Sequence, residues 1–478
     1  MTLLPRIHAG IILMVGIYST PAVLTAAEPN ADRIQPYAEN PRYWQFEGRP
    51  VLLLGGLKDD SPFQMPDRRA AMEELAAVGG NYIRNTMSDR QDYGYEIYAY
   101  QKPESGKYDL DEWNEEYWSR FEDLLKITRE LDIVVQIELW DRFDYSREHW
   151  DRHPYRPVNN VNYTVDESGL RNSYPQHAHR DQQPFFHSIP GMPLYDPKLD
   201  LIRHYQKRFV EKLLSYSLEY GHVLYCMNNE TSTPPAWGRH WIEFIQQQSR
   251  EKNVLVFCTD MFDDGFQPDR SKSYAQAIAD PGTYTFLDIS QVNSRFFNED
   301  QWVRLKWFDE QIAKNPRPLN NTKIYGDGGF NFGSGWPPDG VERFWRDMFA
   351  GCAAMRHHRD IAGIGLQPLA KNCIRAARKL ESEIPMWEVD DQQELLSNQE
   401  PDEAYVVAKP SEAYAVYFTE GGEVELDLTT APTTFRLKWI NIQTGEWETT
   451  SQIDGGKRIA LKSPVKQPSV AVLTRIAP

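Results

Sequence analysis

Two stretches of this chain set a carboxylate where a buried, apolar run stops. The first is Val223-Leu224-Tyr225-Cys226-Met227-Asn228-Asn229-Glu230, after which a helical pattern resumes near Trp237. The second is Lys323-Ile324-Tyr325-Gly326-Asp327-Gly328-Gly329. Both read as parallel strands, covered on both faces, whose C-terminal ends present an acid. Cleavage of a glycosidic bond needs two such groups. One protonates the leaving oxygen, and the other acts across the site as nucleophile or base. Glu230 is the candidate acid, Asp327 the candidate nucleophile or base, and Asn229 is placed to hold a sugar hydroxyl. A strand that simply ends before a surface glutamate, or a turn opened by Asp327 among glycines, would give the same letters.

Other strand ends add to the pattern. Arg84 closes Tyr82-Ile83-Arg84, and an arginine beside a carboxylate keeps it ionised and oriented. Glu138 follows the strand Ile133–Ile137 and is read as a binding residue that fixes a sugar hydroxyl or pairs with Arg84 or Arg142. From Trp140 to Tyr195 runs a long loop, a length that is usually functional in a compact domain. It is rich in aromatics and contains His149, His153, His177, His179 and His187. At least two of Trp140, Trp150, Phe185 and Phe186 are expected to line a sugar cleft over Glu230. Trp140, His187 and, beyond the seventh strand, Trp336 are assigned to substrate binding. The alternative is a loop with its own small core. His177-x-His179 is too little for a metal site, and neither metal nor cofactor is expected.

These residues need elements to position them. Strands are predicted at Val51–Leu54, Tyr82–Arg84, Ile133–Ile137, Val223–Met227, Val254–Cys258, Phe286–Ile289, Ile324–Tyr325 and Ile361–Leu366. Helical patterns alternate with them, including Glu115–Leu131, Leu201–Tyr220, Trp237–Arg250, Gln301–Ala313 and Gly340–Arg356. Eight β/α alternations predict a (β/α)8 barrel, an α/β fold, over residues 40–395. A small hairpin, Arg42–Pro50, precedes it, with Glu47-Gly48 at the turn. From Tyr405 the pattern changes to seven short β-rich runs separated by turn clusters such as Glu420-Gly421-Gly422, which predicts an all-β sandwich over 400–478. Residues 1–27 read as a signal peptide: Arg6 is basic, Ala9–Tyr18 is apolar but short, and Ala22–Ala27 offers small residues for cleavage. A secreted, periplasmic or envelope protein is expected, with no membrane span after cleavage. Cys226 and Cys258 fall in neighbouring predicted strands where a bridge could form, although buried free thiols are expected. The net charge of −17 argues against nucleic acid as a partner, while 13% aromatic residues suit a protein that stacks sugar rings.

The chain resembles clan A glycoside hydrolases, barrels in which Asn-Glu closes strand four, a carboxylate closes strand seven and Arg closes strand two. Asn229-Glu230, Asp327 and Arg84 match those positions. More narrowly it resembles the apiosidase-type bacterial family, which joins such a barrel to a C-terminal sandwich of collagen-binding type. Asn40-Pro41-Arg42-Tyr43, Gly48-Arg49-Pro50, Asn81-Tyr82-Ile83-Arg84 and the run Trp439 to Trp447 carry that likeness. The resemblance implies a secreted hydrolase acting on an oligo- or polysaccharide. Two departures stand out. Asp327 is one methylene shorter than the clan's glutamate, and Gln367 stands where the clan's strand-eight Trp is expected. A non-catalytic carbohydrate-binding barrel and a surface-adhesion protein are the alternatives.

Overall fold

The computed structural model describes residues 30–476, except 89, 91–92, 181–182, 265–266, 294–296, 327–338 and 359–363. Seven of the eight apolar runs form parallel strands close to their predicted places. They are β1 (Leu53–Gly55), β2 (Tyr82–Thr86), β3 (Val134–Asp141), β4 (Val223–Asn229), β5 (Cys258–Thr259), β6 (Leu287–Asp288) and β7 (Leu319–Ile324). The first half of the predicted eighth run, Ile361–Leu366, lies outside the described residues. β8 is Ala354–His357, where a helix end had been expected. The helix Asp339–Phe349 ends before it, and Gly351 takes φ 91°, a conformation glycine adopts without steric cost. The apolar stretch 352–355 therefore leaves the helix and pairs with β1 and β7. Gln367 does not end a strand. It precedes the helix Pro368–Glu383, and its side-chain amide donates to the His358 carbonyl.

The strands lie in two four-stranded parallel sheets, ordered β5-β4-β3-β2 and β6-β7-β8-β1. At one junction Asn81 N donates to the Leu54 carbonyl (2.9 Å), and at the other Thr285 N donates to the Cys258 carbonyl (2.9 Å). The inner faces meet through polar side chains. Gln136 of β3 donates to Asp288 of β6 (2.8 Å) and accepts from Tyr82 of β2 (2.6 Å) and Asn320 of β7 (3.2 Å). This arrangement satisfies groups that would otherwise be costly to bury. The hairpin Trp44–Phe46/Arg49–Val51 turns at Glu47 and Gly48, both at positive φ, as a two-residue hairpin turn of primed type requires. Its Trp44 indole reaches into the same network and donates to Asn320 (2.9 Å). All four cysteines are buried and free.

All seven C-terminal runs are strands: β9 (Ala404–Lys409), β10 (Ala413–Phe418), β11 (Glu423–Asp427), β12 (Thr434–Asn441), β13 (Glu446–Asp454), β14 (Arg458–Lys462) and β15 (Ser469–Arg475). Two short strands precede them, Asp390–Asp391 and Leu396–Ser397. They build two antiparallel sheets, one of six strands and one of three. Alternation divides the six-stranded sheet's residues between two cores. Val406, Val416 and Phe418 pack with Val424, Leu426 and Leu461 of the smaller sheet, whereas Tyr405, Val407 and Tyr417 join the core of the α/β part. There Trp345 stacks on Tyr417 at 5.8 Å, and buried Arg346 binds Asp402 through Nη2 (2.7 Å) and Nε (3.1 Å). Among the described residues, no helix is long and apolar enough to cross a membrane.

Candidate active site

The C-terminal ends of the strands open on a cavity of about 380 Å³. Arg84, Asn229, Glu230, Lys323, Tyr325 and His358 line it from strand ends, and Asp60 from the segment after β1. Arg90, Phe143, Arg147, His149 and His177 complete the wall from loops. Arg84, Asn229 and Glu230, each expected at the site, thus share one cavity with His149 and His177 of the long loop. Asp327 and Trp336 lie outside the described residues.

Glu230 has φ 56°, a left-handed conformation that costs a non-glycine residue energy and that clusters at functional sites. Its side chain is 19% exposed. Lys323, from the end of β7, bonds to Oε1 of Glu230 and donates to Oδ1 of Asn229 (2.7 Å). Arg142 Nη2 stands 3.7 Å from Oε2. Burial alone would raise the Glu230 carboxyl. The Lys323 and Arg142 charges and the Lys323 hydrogen bond outweigh it and hold the group down at about 2. At neutral pH Glu230 is therefore an anion with no proton to give. An ion-paired Glu230 differs from the protonated acid expected of it.

Below Glu230 the charges form a ladder. Arg84 is fully buried, and its Nε contacts Glu138 Oε2 (2.7 Å) while its Nη1 binds Asp60 (3.1 Å). Thr86 donates to the same Glu138 oxygen (2.7 Å). Glu138 is thus beneath the cavity, not on it, and acts by fixing Arg84. Burial pushes its carboxyl upward against the pull of Arg84 and Lys323. Asn229 donates to Asp141 (3.0 Å), which also binds Arg90 Nη1 (2.7 Å). Burial keeps His358 neutral, with the Arg84, Arg356 and Lys323 charges adding to it and Asp60 opposing. Among the described residues, no group of three or more His, Cys, Asp and Glu could hold a metal ion.

Two assigned residues are elsewhere. Trp140 is buried against Phe185, Phe209, Trp237 and Trp241. Strict alternation would turn it inward with Gln136 and Glu138. The alternation breaks instead, and Asp141 takes the inward place. His187 is buried in the short 3-10 helix Pro184–His187 and does not line the cavity. Trp150, Phe185 and Phe186 are likewise core residues, joined through Tyr145. The long loop does form a wall of the cavity, but with Phe143, Arg147, His149 and His177, so the expectation that its large aromatics line the cleft is withdrawn. Lys323 and Asp60 went unread. The one clue to Lys323 was a lysine inside an otherwise uncharged strand.

A family described as a domain of unknown function (DUF6298) matches residues 98–275, a stretch that includes Glu138, Asn229 and Glu230. No curated protein matches the chain. Among solved structures, a glycoside hydrolase family 5 protein from Bacteroides vulgatus superposes with a TM-score of 0.62 at 13% identity, covering 93% of each chain. A further glycoside hydrolase gives a TM-score of 0.58 at 12% identity, covering 93% of this chain and 97% of the other. At such identities the likeness is one of fold: the chain has a mixed α/β fold that resembles those of these glycoside hydrolases.

Proposed function

We propose that the protein is a glycoside hydrolase that works on an oligo- or polysaccharide with Glu230 as its ionised carboxylate. The observation that carries this reading is a strained Glu230 at a strand end, beside Asn229 and Arg84, on a cavity in a fold shared with glycoside hydrolases. In a barrel enzyme that is the face where chemistry is done. The order of the two parallel sheets, and the hydrogen bonds at both junctions, support a closed (β/α)8 barrel over residues 40–395. The two antiparallel sheets support a C-terminal accessory sandwich over 400–478. Within clan A, the short motifs favour the apiosidase type.

An anionic Glu230 can attack the anomeric carbon, or take a proton from the water that does so. Asp327, three residues beyond β7, would then give its proton to the leaving oxygen. Asn229 stands beside Glu230 at the reacting carbon, Arg84 supports the site from below through Asp60 and Glu138, and Lys323 sets the charge state of Glu230. Arg6, the apolar run to Tyr18 and Ala22–Ala27 support secretion or export to the envelope, on a segment outside the described residues.

One observation favours a second reading, a barrel that binds carbohydrate without cleaving it. Lys323 occupies the carboxylate that would otherwise face the sugar. A reducing-end assay of the purified chain on a panel of plant and algal glycans separates the two. New reducing ends, lost in Glu230→Gln, support the hydrolase. Binding without cleavage by the wild type supports the binder.

A further inference from the structure

The cations around the cavity are not equivalent. Arg84 is committed to Glu138 and Asp60, Arg90 to Asp141, Arg142 to Asp263 (2.9 Å), and Lys323 to Glu230. Arg147 differs. It lines the same cavity, yet among the described residues its side chain makes no ion pair and no hydrogen bond, and its Nε is shielded from solvent. The carboxylates that share the cavity, Asp60 and Glu230, are already held by other cations. Glu148, next in the chain, is exposed and faces His149. The backbone fixes Arg147 at φ 54°, the same costly region as Glu230, and its amide is tied to the Tyr174 carbonyl (2.8 Å). A partly buried guanidinium presented at that cost, without a protein counter-ion, is a receptor for an anion. His149, His177 and Phe143 line the same cavity.

We propose that Arg147 forms an anion subsite, so that the saccharide entering this cavity carries a carboxylate or a sulfate ester. This rests on the glycoside hydrolase reading for the saccharide, and on Arg147 alone for the charge. The planar fork binds either group through paired, charge-assisted hydrogen bonds. A neutral sugar would leave the cation desolvated and unmatched, so the subsite also selects against neutral chains.

Calorimetric titration of the full chain tests this with three tetrasaccharides: an oligogalacturonide, a sulfated galactan fragment and a neutral galactan fragment. At low salt at least one anionic ligand should bind about 10–100-fold tighter than the neutral one, the range expected of a hydrogen-bonded charged contact. That ratio should shrink in about 0.3 M salt and collapse in Arg147→Gln, while Arg147→Lys keeps part of it. Which anionic ligand binds identifies carboxylate or sulfate. Equal affinity for all three, no binding of either anionic ligand, or an Arg147→Gln variant that keeps the preference would overturn the subsite. If Arg147→Gln does not fold, the wild-type ratio, its salt dependence and Arg147→Lys decide. An anionic ligand bound but not cleaved sinks only the hydrolase reading. A neutral glycan cleaved with no anionic preference sinks only the subsite.

Discussion

Glu230 reaches the cavity from the end of β4 and Lys323 from the end of β7, and their contact decides what the carboxylate can do. With its carboxyl at about 2, Glu230 stays ionised through the neutral range, so a reaction needing its anion should lose rate only in strong acid. Lys323→Met removes the main opposing charge while keeping a chain of similar length. Burial then gains weight and the carboxyl rises, by about 1–3 units if the pair is typical. The acid limb of kcat/KM should move to higher pH by that amount. An unmoved limb would mean that Lys323 does not set the charge of Glu230. At this scale the sequence was legible where a residue type stood at a strand end, as with Arg84, Asn229 and Glu230. It was not legible for Lys323, whose role depends on the distance between two strands far apart in the chain.

At the scale of elements, period-two and 3.6-residue patterns placed seven parallel strands and all seven C-terminal strands. Two elements escaped for physical reasons. At β8 an apolar run looked like the end of a helix, and one glycine at positive φ decided otherwise. At β3 the alternation broke near its end and turned Trp140 outward onto the helices Leu199–Ser217 and Ala236–Glu251. The loop's aromatics were read as a sugar platform, but most of them form the core that holds the loop in place. Trp140→Ala should therefore cost about 3–5 kcal/mol of stability, as expected for a large buried aromatic. The fraction that remains folded should bind glycan as before. A loss of affinity without a loss of stability, seen by comparing denaturant unfolding with titration, would return Trp140 to the site.

For the whole molecule, burial of titratable groups sets a stability optimum. His153, His222 and His357 are held neutral by burial, each at about 3. They protonate near 6.5 when unfolded, so their contribution falls as pH drops below about 6.5. Asp260 and Asp347 are raised by burial to about 7 and about 8. In those two the folded state holds protons that the unfolded chain has released, so stability falls as pH rises toward 8. Below about 6.5 these histidines, joined by His240 and His358, outnumber the raised carboxyls, which Glu138 and Glu342 join, and above it only the raised carboxyls act. The melting temperature should therefore peak near pH 6.5. A calorimetric series from pH 4 to 9 that climbs steadily to the alkaline end would contradict this balance.

The central claim, a glycoside hydrolase that uses Glu230 as an anion, is tested most directly by Glu230→Gln on two substrates. One is a glycan that the wild type cleaves, and the other is an aryl glycoside of the same sugar with a good leaving group. Glutamine keeps the shape and removes the charge. The account predicts that turnover falls on both substrates by the same factor, of about 10²–10⁴ or more, since neither leaving group can replace a missing nucleophile or base. Unchanged turnover on both would contradict a catalytic Glu230. A loss confined to the unactivated glycan would make Glu230 the proton donor and contradict the ionised role derived from its contact with Lys323.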